Sequence, residues 1–403
     1  MRQLDVSPIE HQGETYISLR DPEGFVEEAL LLSPFAFFVA AHLDGAHDVV
    51  DIQHSFAQQS GGQLLMSEDV RRVVEMLGSH GFLINDVYLE IRRQAEESFA
   101  GSDVRAAYLA GKSYPAEADE LRAFLDSLFT GEGAPGEIPG AVGGQGDPVR
   151  CLVVPHIDFQ RGAAAYALGY LELFRRGKPD TVIIFGVAHV APPVPFTLTR
   201  KAFQTPFGEL ETDKDVLTQL EAACAWSPYE YEIVHRTEHS IEFQAVMLAY
   251  LYGPAVKIVP ILCGSFADEA ETPRAPFAEP IEKFLNVCHL IASDAARKVS
   301  VIAGADLAHV GKRFGDDIEI APSIVSAIES RDREDLEHAV QGAPAAFHKS
   351  VMKDGNERRV CGLHCIYSAL RTAAPKEAGK LLHYSYAPDP AGGIVSFADI
   401  LFD

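Results

Sequence analysis

Four short polar clusters could carry chemistry in this chain: Pro155-His156, Gly186-Val187-Ala188-His189, Glu238-His239-Ser240-Ile241-Glu242 and Asp306-Leu307-Ala308-His309. Cys361-Gly362 adds a fifth piece near the C-terminus. A neutral imidazole is the commonest protein metal ligand, and a cysteine thiolate favours iron, copper or zinc over magnesium. Imidazoles, carboxylates and one thiol, each placed where an expected strand or helix meets a loop, are the linear form of a composite metal or acid–base pocket.

Each cluster also has a plainer reading. A histidine at a strand end can be a hydrogen-bonded structural residue. Glu238 and Glu242 would share one face of a starting helix, where the dipole favours carboxylates, so capping explains them as well as chemistry does. In the chemical reading His239 donates to substrate or acts as acid or base, with a carboxylate such as Glu238 holding its ring. Asp306 and His309 are three apart and could meet across a turn; Asp306 is expected to orient His309 or His239, or else to cap a helix. Cys361 falls in a helical pattern at 360–370, where a cysteine is commonly a small buried hydrophobe.

The elements that must position these groups come in two sets. Residues 1 to about 100 read as a small winged-helix-like α+β domain. It has a strand at 15–19, helices at 33–43, 50–59 and 68–77 with Ser67 as N-cap, a wing or hairpin beginning at Phe82-Leu83-Ile84, and a connecting helix at 87–97. From residue 103 to 403 the pattern changes. An amphipathic helix at 116–129 and a Gly/Pro-rich loop at 130–148, mobile by composition, precede nearly continuous apolar strands at 151–154, 181–185, 256–262 and 299–303, with helices at 163–176 and 240–252. Such strands imply a sheet covered by helices on both faces, a three-layer αβα domain. In open α/β sheets ligands gather beyond the carboxyl ends of the strands, where His156, His189 and Asp306 would all fall.

Composition narrows the partners. Of 403 residues, 47% are hydrophobic and 23% charged, an ordinary globular balance. The 58 acidic against 34 basic residues give a formal charge of -24, which repels nucleic acid and anionic membrane surfaces. The opening Met1-Arg2-Gln3-Leu4-Asp5 is no charged leader before an apolar run, and the chain lacks a membrane-length apolar stretch, so a cytoplasmic protein is expected. The six cysteines show no disulfide framework. No P-loop, GxGxxG after a strand or GxSxG elbow is present, which removes the usual support for nucleotide-dependent and serine-hydrolase chemistry.

Residues 103 to 403 resemble the MEMO family, also called AmmeMemoRadiSam system protein B, whose fold is similar to that of class III non-haem-iron extradiol dioxygenases. Besides the five clusters, Ala110-Gly111-Lys112-Ser113-Tyr114-Pro115, Thr205-Pro206-Phe207-Gly208-Glu209-Leu210 and Arg313-Phe314-Gly315 carry the likeness. The resemblance implies that His156, His189 and Cys361 surround a metal-capable pocket, with His239, Asp306 and His309 beside it. Three places depart from the family pattern: Ile157-Asp158-Phe159-Gln160-Arg161 after the first histidine, a single imidazole at Val187-Ala188-His189-Val190, and Phe243-Gln244 where a further histidine is common. The N-terminal domain resembles PqqD-like winged-helix modules through Leu19-Arg20-Asp21-Pro22, Leu32-Ser33-Pro34, Leu43-Asp44-Gly45 and Gly81-Phe82-Leu83. Such modules recruit peptides or radical-SAM enzymes, often by strand addition.

Two functions follow as expectations. One is a dioxygenase-like oxidoreductase holding iron (Fe2+), or copper or zinc, on His156, His189 and Cys361, with His239, Asp306, His309 and Glu238 as the catalytic set and a small molecule or peptide in the pocket. The other is a non-catalytic adaptor that binds a peptide or metal for a radical-SAM partner.

Overall fold

The computed structural model describes residues 1–11, 13–140, 143–264, 266, 278–389 and 391–403, which divide into two units, Met1–Gly101 and Ser102–Asp403. The first unit holds β1 (Asp5–His11), β2 (Glu14–Arg20), β3 (Leu30–Leu32), α1 (Pro34–Ala41), α2 (Val49–Gln59), α3 (Ser67–Ser79) and α4 (Asp86–Ala100). Its strands form one antiparallel sheet in the order β1-β2-β3. Leu19, Leu32, Val39, Ile52, Val70, Leu77 and Phe82 make its core.

Two local expectations fail in this unit. Ser67 is the first residue of α3 rather than its cap; Met66 occupies the cap position and no side chain bonds the free amides there. The apolar run Phe82-Leu83-Ile84 forms no wing. Phe82 is instead buried among the helices, and Asn85 caps α4 by accepting from the Tyr88 amide at 3.0 Å, so the run is a helix-to-helix connection. The β-ribbon lies at the N-terminus instead, where β1 pairs with β2.

The second unit contains β4 (Val104–Arg105), α5 (Ala118–Thr130), β5 (Cys151–Val154), α6 (Ala163–Arg175), β6 (Thr181–Val187), β7 (Phe196–Leu198), β8 (Ala202–Thr205), β9 (Gly208–Leu210) and α7 (Lys214–Ala223). It continues through α8 (His239–Tyr252), β10 (Lys257–Cys263), α9 (Ala278–Ala292), β11 (Val299–Gly304), β12 (His309–Val310), α10 (Pro322–Val340), α11 (Pro344–Val351), α12 (Leu363–Ala373), β13 (Lys380–Asp389) and β14 (Gly393–Phe402). The Gly/Pro-rich stretch at 130–148 carries an isolated bridge from Gly144 to Gly177; Ala141 and Val142, part of that expected loop, lie outside the described residues.

Strands β5, β11, β6 and β10 lie side by side and parallel. Antiparallel β14 flanks β5 and antiparallel β7 flanks β10, while β12 and β13 both pair with β14. Burial of β5, β6 and β11 is complete, because alternate side chains pack into two different groups of helices. Leu152, Val154, Ile184 and Ile302 pack with Leu125 of α5, Tyr170 of α6 and Ala245 of α8. Val153, Phe185, Ile261 and Val301 pack with Leu217 of α7, Phe284 of α9, Leu336 of α10 and Ile366 of α12. The unit is thus a mixed α/β structure. Each fully buried aliphatic side chain contributes about 1.5–3 kcal/mol, so the rim where the polar clusters sit rests on a heavily stabilised sheet. Among the described residues no helix is long and apolar enough to cross a membrane.

Candidate metal centre

Register places the clusters together. Val154 of β5, Gly304 of β11 and Gly186 of β6 are aligned across three neighbouring parallel strands. His156 and Asp306 each come two residues past that line and His189 three, all at the carboxyl end of the sheet. Cys361 arrives from a different direction, on the segment that leads into α12. That approach needs glycine at the next position: a Cβ on Gly362 would stand 2.5 Å from the Asp306 carbonyl oxygen and 2.6 Å from Ala305 Cβ. The Gly362 amide donates to that same carbonyl at 3.0 Å, which locks Cys361 beside Asp306. Gly186 serves α8 in the same way, since a Cβ there would lie 2.5 Å from Ile241 and 2.6 Å from Ser240 Oγ. The start of α8 can therefore rest on the strand end.

The tautomers follow from the partners. His156 Nδ1 lies 2.9 Å from the Gly304 carbonyl oxygen, which can only accept, so Nδ1 carries the proton and Nε2 keeps its lone pair. That Nε2 faces Cys361 Sγ at 3.4 Å and Asp306 Oδ2 at 3.6 Å. His189 Nδ1 likewise donates to the Glu238 carboxylate, at 3.0 and 3.1 Å, which leaves its Nε2 as the free donor atom. Ligand atoms of His156, His189 and Cys361 all lie within 4.8 Å of one another. Two imidazole lone pairs and a sulfur converging beside a carboxylate form an electron-rich pocket, and this donor set suits a borderline-soft transition metal.

Electrostatics sharpen the division of labour. Burial pushes the His156 pKa below its ordinary value, outweighing the attraction of Asp306. At His189 burial works in the same direction, yet the charge and hydrogen bond of Glu238 prevail and hold that imidazole above its ordinary range. Its ring is deep in a concavity but 39% of the side chain still reaches solvent. Glu238 itself is buried, which would raise its pKa; His189, His239 and the hydrogen bonds it receives hold it well below the carboxylate range instead. Burial, then the charge of Asp306, drives the Cys361 thiol well up, so an ion would have to supply the charge that deprotonates it.

His239 begins α8, with Glu238 as the cap whose Oε1 accepts from the amides of His239 and Ser240 at 2.8 and 3.0 Å. The rings of His189 and His239 stack with centroids 4.6 Å apart, and His156 meets both edge-on at 5.1 and 5.2 Å. Burial pushes the His239 pKa down to about 3, so this imidazole is neutral at pH 7. His309 Nδ1 donates to the Leu307 carbonyl at 3.1 Å, leaving its Nε2 lone pair free, and burial lowers its pKa too. A cleft of about 480 Å³ opens over the three rings and His309, bounded by Leu109, Phe243, Phe314, Arg161, Arg313 and Asp389.

All seven singled-out residues therefore lie at one rim, but their pairings differ from expectation. Asp306 is hydrogen-bonded to neither His309 nor His239, although its charge acts on His309: its Oδ1 accepts from the amides of His156 and Ile157 at 2.9 and 3.2 Å, because the loop after β5 folds over the loop after β11. Nor does it cap a helix, since β12 follows. Glu238 serves His189 more closely than His239, whose Nδ1 is 3.3 Å from Oε1. Glu242 belongs to no site. It is fully buried against Arg105, Tyr114 and the Leu109 amide. Cys361 precedes α12 rather than lying within it.

Sequence reasoning missed two residues that hold the rim in place. Arg105, wholly buried, donates to the Glu238 carbonyl at 2.9 Å and the His235 carbonyl at 2.8 Å, thus fixing the backbone that enters α8. Gln244 donates to the Pro155 carbonyl at 2.9 Å while accepting from Tyr170 at 2.6 Å, which ties α8 to the loop that bears His156. The signal for Gln244 was on view, as a polar residue one helical turn after Ser240 in an otherwise apolar helix.

Comparisons with known proteins agree with this layout. A family profile described as Memo-like protein matches residues 105–399. A "MEMO1 family protein" of Aquifex aeolicus is 26% identical over 406 residues, spanning all of this chain and 99% of its own, so it has a counterpart of the first unit as well. Another, from Methanopyrus kandleri, is 29% identical over 308 residues, 74% of this chain and 98% of that one. A third, from Thermus thermophilus, is 26% identical and spans 80% of this chain and 89% of its own. The profile match covers most of the chain and contains the whole rim, so this chain belongs to the Memo-like protein family.

Proposed function

We propose that this protein holds iron(II), with copper or zinc as the alternatives, on His156, His189 and Cys361, and works in the cytoplasm as an oxidoreductase related to class III extradiol dioxygenases. The observation that carries this reading is the approach of three ligand atoms of those residues to within 4.8 Å, with the second nitrogen of each imidazole already engaged by an acceptor. The helices packed on both faces of the sheet support the finer reading of a three-layer αβα, dioxygenase-like domain.

A bound ion would supply Lewis acidity and one-electron chemistry to a substrate in the cleft. The protein's own part is positioning and proton management. Gly304 and Glu238 fix the two ligand tautomers, and Asp306 clamps the His156 backbone. His239 and His309, both neutral at pH 7, face the same cleft and can exchange hydrogen bonds or a proton with a small molecule or peptide there. The first unit, which we read as a PqqD-like winged-helix module, recruits a peptide or radical-SAM protein. In support, Val50, Leu64, Met66, Ile84 and Leu89 are each more than half exposed within it. The same feature favours the second reading, an adaptor that delivers peptide or metal to such a partner without turnover.

Elemental analysis of protein purified without oxygen tests the proposal. The expected result is a single iron per chain, lost in Cys361→Ser and His156→Ala while circular dichroism is unchanged. Equal metal content in wild type and both variants would overturn it.

A further inference from the structure

A buried ionic node lies beneath the rim, on α10. Asp332 and Asp335 are almost fully buried and both bind the guanidinium of Arg358, Asp332 to Nη1 and Asp335 to Nη2. Arg358 stands three residues before Cys361, and its carbonyl accepts the His309 amide at 2.7 Å. The second oxygen of Asp332 accepts from Ser396 Oγ at 2.5 Å and Tyr384 Oη at 3.0 Å. Ser396 Oγ in turn accepts from the Ala308 amide at 2.9 Å, and the Ser396 main chain pairs with Leu307 and Ala308. One carboxylate thus holds both rim segments, the one bearing Cys361 and the one bearing Asp306 and His309.

We infer that Asp332, through Arg358 and Ser396, is a positioning residue that sets the separation of Cys361 from His156 and Asp306. The inference rests on the metal-site reading above. Two observations carry it beyond ordinary packing. A buried arginine–carboxylate cluster is a poor source of net stability compared with apolar side chains of similar volume, so its particular product here is fixed geometry. In addition, Arg359, directly after Arg358, has φ of +52°, a left-handed conformation that a non-glycine residue keeps only when its surroundings impose it. The surroundings are these bonds together with those of Arg359 itself, whose guanidinium donates to Asp316 and to the His309 carbonyl and whose amide donates to the Asn356 carbonyl, while Asn356 adds a clasp by accepting from the Val360 amide at 2.8 Å. The turn that presents the thiol is therefore held in part from α10, outside the cleft.

Cobalt(II) titration of the full chain tests this, following affinity and the thiolate-to-cobalt absorption that reports the sulfur–metal bond. Asp332→Asn leaves Arg358 its Asp335 partner, so the fold should persist, while affinity falls about 10- to 100-fold and the thiolate band weakens. Ser396→Ala keeps both ion pairs but removes the hydroxyl's bonds to Asp332 and to the Ala308 amide, and should act in the same direction by about tenfold. This milder variant carries the test if Asp332→Asn fails to fold. Wild-type affinity and an unchanged thiolate band in folded variants would overturn the positioning role alone. A wild-type protein that binds no cobalt, or binds it equally as Cys361→Ser, would overturn the metal reading and this inference with it.

Discussion

Glu238 and Glu242 enter the same helix four residues apart, and both are buried, yet they do different work. Glu242 turns into the protein, where the Arg105 guanidinium, the Tyr114 hydroxyl and the Leu109 amide satisfy it completely. Glu238 turns to the rim and meets imidazoles, His189 at 3.0 Å and His239 at 3.3 Å. The first is an anchor with a permanently charged partner. The second has partners whose protonation can change, and it fixes which nitrogen of His189 is free. What separates the two carboxylates is neither burial nor sequence spacing but the identity of the group each one meets.

The largest effect should come from breaking the anchor. Arg105→Met leaves the Glu242 carboxylate without its cation in a fully buried place, at a cost of about 3–5 kcal/mol in urea denaturation. Adding Glu242→Leu removes the stranded charge and should restore part of that loss. A single variant as stable as the wild type would end the contrast, because Glu242 would then need no cation.

How far the contrast could be read in advance depends on distance along the chain. His156, His189 and Asp306 were legible because each directly follows an apolar strand, and parallel strands in register deliver such residues to one edge. Cys361 was legible as a ligand only through the family resemblance; the close approach of Gly362 to Asp306 that places it there is something no helical periodicity would reveal. The pairings were not legible. Asp306 was expected to orient His309, three residues on, or His239, but loop geometry brought it to His156, 150 residues earlier. Arg105 lies 137 residues from Glu242, so nothing local announces the pair. In the first unit the apolar run at Phe82 could serve a strand or a buried turn equally well, and core packing decided for the turn.

A third buried carboxylate sharpens the comparison, since Asp399 of β14 has no hydrogen-bond partner at either oxygen among the described residues. Burial alone raises its pKa well above the usual value. A folded pKa above the unfolded one, about 3.9, contributes stability that is fully present below pH 3.9 and is lost as pH rises toward the folded value. Asp399→Val should remove this dependence, flattening the stability profile above pH 4 and raising stability at pH 8 by about 1–3 kcal/mol. Denaturation at several pH values checks it. An unchanged slope would mean that Asp399 has partners after all.

The smallest effect on stability, and the most specific, is expected at Glu238. Glu238→Gln keeps a side-chain oxygen that can cap the His239 and Ser240 amides, so the fold should lose no more than about 1 kcal/mol. The amide cannot offer His189 a charged acceptor, however, and its nitrogen can donate to Nδ1 and so force the proton onto Nε2. That would bury the ligand lone pair of His189. Metal affinity should therefore fall about 10- to 100-fold while thermal stability barely moves, the reverse of the Arg105 result. The pKa of His189, followed by NMR in the metal-free protein, should drop with it, because the Glu238 charge that holds it up against burial is gone. A variant that loses stability but keeps its affinity would make Glu238 a helix cap and nothing more.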